Sequence, residues 1–176
     1  MRRRADTDAE FTEFLTARSS QLYRSAYLLT TSPHAAEDLL QTALAKTYAA
    51  WGRVSRADDP VAYVHGVLIK AFLSERRKRS STELPFAEPG DLGRLDRTSS
   101  ASDPTDRVAL MAVLARLAPL DRAVVVLRFW EDRSVAQTAT DLDLSEAAVK
   151  NRSLRALRTL RELLAEPTHT SNGSSS

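Results

Sequence analysis

The chain has 176 residues, of which 43% are hydrophobic and 27% charged, enough for one medium domain or two small ones with buried cores. It contains no cysteine, which excludes disulfides, thiolate metal sites and a cysteine nucleophile and suits a reducing compartment. A formal net charge of only +2 excludes a whole-chain field as the source of any nucleic-acid affinity, which has to come from local clusters of cations.

The opening "MRRRADTDAE" has cations but no apolar run behind them, so residues 1–9 are expected to form a flexible N-terminus, not a signal peptide. No stretch reaches the ~18–20 apolar residues of a membrane span, and the expected location is the cytoplasm. Helical periodicity then dominates. Phe11, Phe14, Leu15, Leu22, Ala26 and Leu29 mark a first helical segment, with a bend expected at Ser19-Ser20. Ser32 caps a second helix with Pro33 at its first position, where the missing N–H costs nothing. That helix runs through Leu39, Leu40, Ala43 and Leu44 to Trp51, and Gly52 is its expected stop. Asp59 before Pro60 repeats the start signal for a third helix, expected to reach Arg79 across Gly66.

From Ser80 the periodicity disappears. "SSTELPFAEPGDLGRLDRTSSAS" is rich in serine, proline, glycine and acidic residues; a structureless stretch of this length is uncommon inside a compact domain. Residues 80–104 are therefore expected to be an acidic flexible linker between domains at 10–79 and 105–165. Beyond it, Pro104 and Pro119 begin two helices. The Val124–Leu127 run has the composition of a strand, but its helical neighbours favour a buried helix. "EDRSVAQTATDLDLSEAAVKNRSLRAL" reads as helix, tight turn, helix: Ser134 and Gln137 form a capping box, Asp143 takes the left-handed turn position and Ser145 caps the second helix. The polar residues 166–176 are expected to be a disordered tail. The fold class is all-α, with two small helical domains.

The last helix carries Lys150, Arg152, Arg155, Arg158 and Arg161 against Glu146 and Glu162. At about 100° per residue, Val149, Ala156, Leu160, Leu163 and Leu164 share one face, with most cations opposite. A charged helix face is most often simply solvated. Here its charge has one sign, a capped helix precedes it across a short turn, and small residues at its start allow close approach. These features suit a recognition helix in a DNA groove. Lysine and arginine would meet phosphates or guanine edges, Asn151 adenine, and Leu154 a thymine methyl.

A second cluster, "IKAFLSERRKRSS", places Lys70, Arg76, Arg77, Lys78 and Arg79 at the end of the third helix, with Tyr63, His65 and Phe72 upstream. The helix dipole explains one or two terminal cations; four in succession exceed that need. Cations beside aromatic rings suit single-stranded or distorted nucleic acid, although Tyr63 and Phe72 read equally well as core. Nothing points to an enzyme: there is no HExxH zinc motif, phosphate loop or nucleophile elbow, and no cofactor or metal is expected.

"FTEFLTARSSQLYRSAYLLTTSPHAAEDLLQTALAKTYAAW" and "LARLAPLDRAVVVLRFWEDRSVAQTATDLDLSEAAVKNRSLRALRTLRELL" resemble regions two and four of the extracytoplasmic-function (ECF) sigma factors of bacterial RNA polymerase, most like the actinobacterial SigE-type group. The resemblance implies a chain that binds core polymerase at its clamp helices and flap and reads the −35 element as duplex. It also implies opening of the −10 element, with an anti-sigma factor as a further partner. By position, Ser145, Lys150, Asn151, Arg152, Leu154, Arg155 and Arg158 are the implied −35 residues. Tyr63, Lys70, Arg76, Arg77, Lys78 and Arg79 are the implied −10 residues, and Asp38, Leu39 and Gln41 the polymerase contacts. Thr42, Tyr63, Lys70, Asp143 and Ala147-Ala148 depart from the residues common in the family. The competing reading is a two-domain helix-turn-helix regulator that binds duplex DNA without being a polymerase subunit.

Overall fold

The computed structural model describes residues 2–82 and 104–165, and among these it contains helices and no strand. The order is α1 (Arg2–Thr30), α2 (Pro33–Ala49), α3 (Trp51–Val54), α4 (Pro60–Thr82), α5 (Pro104–Arg116), α6 (Pro119–Val125), a π-helical turn (Val126–Trp130), α7 (Val135–Leu142) and α8 (Glu146–Ala165). Most of the expected linker and all of the expected tail lie outside the described residues.

The start signals act as expected. Ser32 accepts from the Ala35 N–H at the head of α2, and Asp59 accepts from the Ala62 N–H at 2.9 Å at the head of α4. Three boundaries differ from expectation. Helix α1 begins at Arg2, within the segment expected to be flexible, and runs unbroken through Ser19-Ser20. Asp8 on its early turns accepts from the Tyr48 hydroxyl of α2. Gly52 does not end α2; the break falls at Ala50, and Gly52 lies inside α3. The break lets Trp51 bury itself against Phe11 and Phe14, with ring centroids 5.1 and 5.0 Å away. Helix α4 continues past Arg79 to Thr82.

Helix α1 closes at Thr31, whose φ of 57° is unusual for a β-branched residue. The Val124–Leu127 run is helical, but the α-helix gives way to a π turn in which the Glu131 N–H bonds to the Val126 carbonyl at 2.9 Å. That wider turn adds a residue to the helical register.

One continuous core joins the two halves. Ala26, Tyr27 and Leu29 of α1, Leu39 of α2, and Leu68, Ile69 and Phe72 of α4 meet Met111, Leu114, Leu117, Val126 and Leu127 from beyond residue 103. A second cluster, of Phe11, Leu22, Trp51, Val54 and Val64, belongs to the first half alone. Arg122 fastens the boundary. Its buried guanidinium donates to the Leu29 carbonyl at 2.7 Å and to those of Ala115 and Leu117, each at 3.1 Å. These carbonyls sit at the C-terminal ends of α1 and α5, where helical acceptors lack partners.

Candidate nucleic-acid interface

The helix-turn-helix is built as its sequence requires. Ser134 and Gln137 form both hydrogen bonds of the capping box, at 3.1 and 2.9 Å. Asp143 closes α7 in the left-handed conformation (φ 54°, ψ 47°). Ser145 starts α8 by accepting from the Ala148 N–H at 3.1 Å. Val124, Ala139 and Val149 form the small core that sets α7 against α8, edged by Val135, Leu142 and Leu144. The buried face of α8 is Val149, Ser153 and Ala156. Its other side presents Ser145, Lys150, Asn151, Arg155 and Arg158 to solvent, with Leu154 69% exposed among them. For a leucine flanked by cations, that exposure leaves a methyl-bearing tip where a groove would be.

The arginines of this face are of two kinds. Arg152 and Arg155 both bind Asp121 of α6. Arg152 Nη1 reaches Oδ1 at 2.7 Å, while Arg155 Nη2 reaches the two oxygens at 2.8 and 2.9 Å and its Nε reaches Oδ2 at 3.2 Å. The Asp121 bond and charge raise the pKa of Arg155 further. Among the described residues, no carboxylate stands within ion-pair distance of Lys150 or Arg158. Asp121 itself is buried. It was not among the residues expected to matter, because "PLDRAV" reads locally as an ordinary helix start with an acid in its first turn.

The second cluster is less uniform than its sequence. Lys70, Arg77, Lys78 and Arg79 are exposed, but Arg79 is paired with Glu75 at 2.8 Å. Arg76 is half-buried, with its guanidinium 5.6 Å from the centre of the Phe72 ring. Burial, then the charge of Arg79, lowers its pKa. Phe72 is a core residue. Tyr63 packs at the edge of the first-half cluster, and its hydroxyl accepts from Arg53 Nη2 at 3.1 Å. On α2, Asp38 and Gln41 are exposed side by side, whereas Leu39 is buried in the shared core. Leu39 can therefore shape a partner surface only by holding the helix in place.

A polar node lies between the halves, and sequence reasoning missed it. Glu131, just past the π turn, accepts from the Ser25 hydroxyl of α1. His65 Nδ1 of α4 lies 3.1 Å from the same carboxylate, off the line of a good hydrogen bond. Burial, then the charge of Arg133, lowers the pKa of His65 to about 4, so the ring is neutral near pH 7. Burial raises the Glu131 pKa, against the opposing effects of the Ser25 hydrogen bond and Arg133. Burial, then Arg76, lowers that of Arg122 to about 10. "FWED" and "YVHG" gave no local sign of this meeting, since the two segments are far apart in the chain.

Residues 14–82 match the family model for sigma-70 region 2, and residues 107–160 that for sigma-70 region 4. The RNA polymerase sigma-E factor of Streptomyces coelicolor is 41% identical over 155 residues, covering 88% of this chain and 86% of that protein. Its counterpart in Streptomyces avermitilis is 40% identical over 155 residues, covering 88% and 85%. The sigma factor RpoE of Bartonella quintana, solved with the anti-sigma factor NepR, has the same fold: TM-score 0.70, 22% identity, 90% of this chain and 98% of that one. No described helix is long and apolar enough to cross a membrane. With both region models matched in order and sigma-E relatives aligned along most of its length, the chain belongs to the sigma-70 family, as a sigma factor of the ECF type.

Proposed function

We propose that this sigma factor divides promoter recognition between the outer face of α8, which meets the −35 element as duplex, and the distal end of α4, which meets the melted −10 element. Helices α1–α4 and α5–α8 make up the two working domains, and residues 83–103 connect them in the chain. The observation that carries this reading is the presence of two separate exposed cation surfaces, one on each sigma region. Lys150, Asn151, Leu154 and Arg158 line the first, with Arg152 and Arg155 beside them; Lys70, Arg77 and Lys78 line the second, with Arg76 and Arg79 on its flank and Tyr63 upstream.

Neither surface is large. A single recognition helix and a short basic strip hold DNA weakly alone, and core polymerase makes the second contact intramolecular once the first has formed. Asp38 and Gln41 on α2 supply part of the polymerase contact, and the polymerase flap meets the second domain. Melting the −10 element costs several kcal/mol of stacking and pairing, recovered as unstacked bases and phosphates settle on α4. The chain needs no catalytic group or cofactor for this work, and its place is the cytoplasm with the polymerase. An anti-sigma factor is a further expected partner, as in the Bartonella quintana complex.

The test is promoter opening in vitro, monitored by permanganate reactivity of −10 thymines on genomic fragments. Reactivity is expected only when core polymerase and this chain are both present. Replacing Arg76, Arg77, Lys78 and Arg79 together is expected to leave polymerase binding intact and impair opening. Tight duplex binding without polymerase, and no melting in the full mixture, would replace this reading with that of a helix-turn-helix regulator.

A further inference from the structure

We infer that Asp121 is a positioning residue for promoter discrimination, holding Arg152 and Arg155 as a pre-set backbone clamp and leaving base reading to Lys150, Asn151 and Leu154. The inference rests on the reading of α8 as the DNA-facing helix and adds to it a residue on a different helix.

The geometry divides the donors. An arginine has five N–H donors in a rigid fork. Arg155 commits Nε and Nη2 to Asp121 and Arg152 commits Nη1, so Arg155 Nη1 and Arg152 Nε and Nη2 have no partner in these bonds. Arg155 is still half exposed, with 53% of its side chain accessible, against 30% for Arg152 and 9% for Asp121. The buried carboxylate therefore anchors Arg155 along one edge and Arg152 through a single nitrogen. The outward donors of Arg155 are free for a phosphate, and its torsions are fixed before DNA arrives. Fixing them in advance lowers the ordering cost of the contact.

The same bonds limit what these arginines can do. A bidentate grip on guanine takes two donors along one edge of the fork. Arg155 has already given its Nε–Nη2 edge to Asp121, so only the Nη1 end of its fork is open to DNA, while Arg152, tied through Nη1 alone, is the less exposed of the two at 30%. One negative charge against two positive ones also leaves the trio at a net +1, which damps attraction to any duplex regardless of sequence. Asp121 thus suppresses non-specific binding while preserving register.

The experiment uses holoenzyme assembled from core polymerase and the full chain. Its probes are a duplex selected by the wild-type chain from a randomised library and a scrambled duplex of equal length. D121N is expected to bind the scrambled duplex more tightly, with a log–log salt slope steeper by about one counterion. The ratio of selected to scrambled affinity is expected to fall by about tenfold, the size of one lost base-pair discrimination. In an R152Q/R155Q background the same substitution is expected to leave the ratio unchanged, since no arginine remains to be positioned. An unchanged ratio and slope in D121N, or an equal fall in the double-glutamine background, overturns the inference. Should D121N lose its helical circular dichroism, R155K replaces it: the ratio is expected to fall with the salt slope unchanged, and an unchanged ratio is fatal. K150Q separates the two levels. If it weakens binding while D121N leaves the ratio unchanged, only the role of Asp121 fails; if it changes nothing, the DNA-facing reading of α8 fails with it.

Discussion

Arg122 of sigma region four donates to the backbone carbonyl of Leu29 of sigma region two at 2.7 Å, in a site almost closed to water. Two further carbonyls, of Ala115 and Leu117, depend on the same guanidinium. Arg122→Met keeps much of the volume and strands all three acceptors. Leaving buried polar groups unpaired costs about 1–3 kcal/mol each, in part relieved by relaxation. The variant is expected to lose about 3 kcal/mol of unfolding free energy in urea, and its radius of gyration by small-angle scattering should rise as the halves part. A loss below about 1 kcal/mol would show that other contacts hold the boundary.

The polar node should make stability depend on pH. The folded-state pKa of His65 is about 4 against an ordinary 6.5, so the unfolded chain takes up this proton first as the pH falls. Stability is therefore lost between about pH 6.5 and 4, by about 2 kcal/mol at pH 5. Glu131 works in the opposite sense. Its raised pKa gives a contribution that is full below the ordinary value of 4.5 and lost as pH rises through the folded value. In His65→Asn, denaturant midpoints at pH 7 and pH 5 should differ less than in the wild type. Equal differences in the two chains would contradict burial of a neutral His65.

On α8, Lys150→Ala should weaken binding to −35 duplex and reduce its salt dependence by about one counterion. Arg155→Ala should also weaken binding but flatten the slope less, because Asp121 already offsets part of its charge. Leu154→Ala should mainly change the preferred base. Fluorescence anisotropy across a salt series tests the first two and library selection the third; three unchanged results would remove α8 from the interface.

Neighbours on α2 should separate just as sharply. Asp38→Ala and Gln41→Ala remove exposed groups and are expected to weaken core-polymerase association with little change in melting temperature. Leu39→Ala opens a cavity in the shared core and should cost about 2–5 kcal/mol of stability. Calorimetry alongside a polymerase pull-down checks both, and a Leu39 variant of normal stability would contradict its burial.

Thr31 offers a gain. Its φ of 57° places a β-branched residue where glycine is at ease. Thr31→Gly is expected to raise the unfolding free energy by about 1 kcal/mol, less the entropy glycine adds to the unfolded chain. A drop in melting temperature would mean that the threonine side chain contributes more than its backbone strain costs.

Local signals were readable in the sequence and remote ones were not. Ser32-Pro33, Asp59-Pro60, the Ser134/Gln137 box and Asp143 each act within a few residues, and all appear at the expected positions. The cation face of α8 came from periodicity alone. Asp121, Arg122 and Glu131 escaped because their roles depend on partners 31 to 106 positions away. Gly52 misled because a glycine after a helix resembles a stop, whereas the need to bury Trp51 decides the break. Trimming Leu39 from the exposed contacts likewise required knowing which face of α2 the core takes.

The π turn at Val126–Trp130 separates two demands that a regular helix would bind together. Residues before it answer to the shared core, and Glu131 after it answers to Ser25 and His65. Removing one residue from the turn would restore regular winding and swing the downstream chain by about 100°. Glu131 would be carried off its partners, and Phe129 and Trp130, now half exposed, would turn toward new neighbours. Single-residue deletions here should therefore be far less tolerated than substitutions at the same positions. In a family of related chains, the length of this turn would be guarded more closely than its letters.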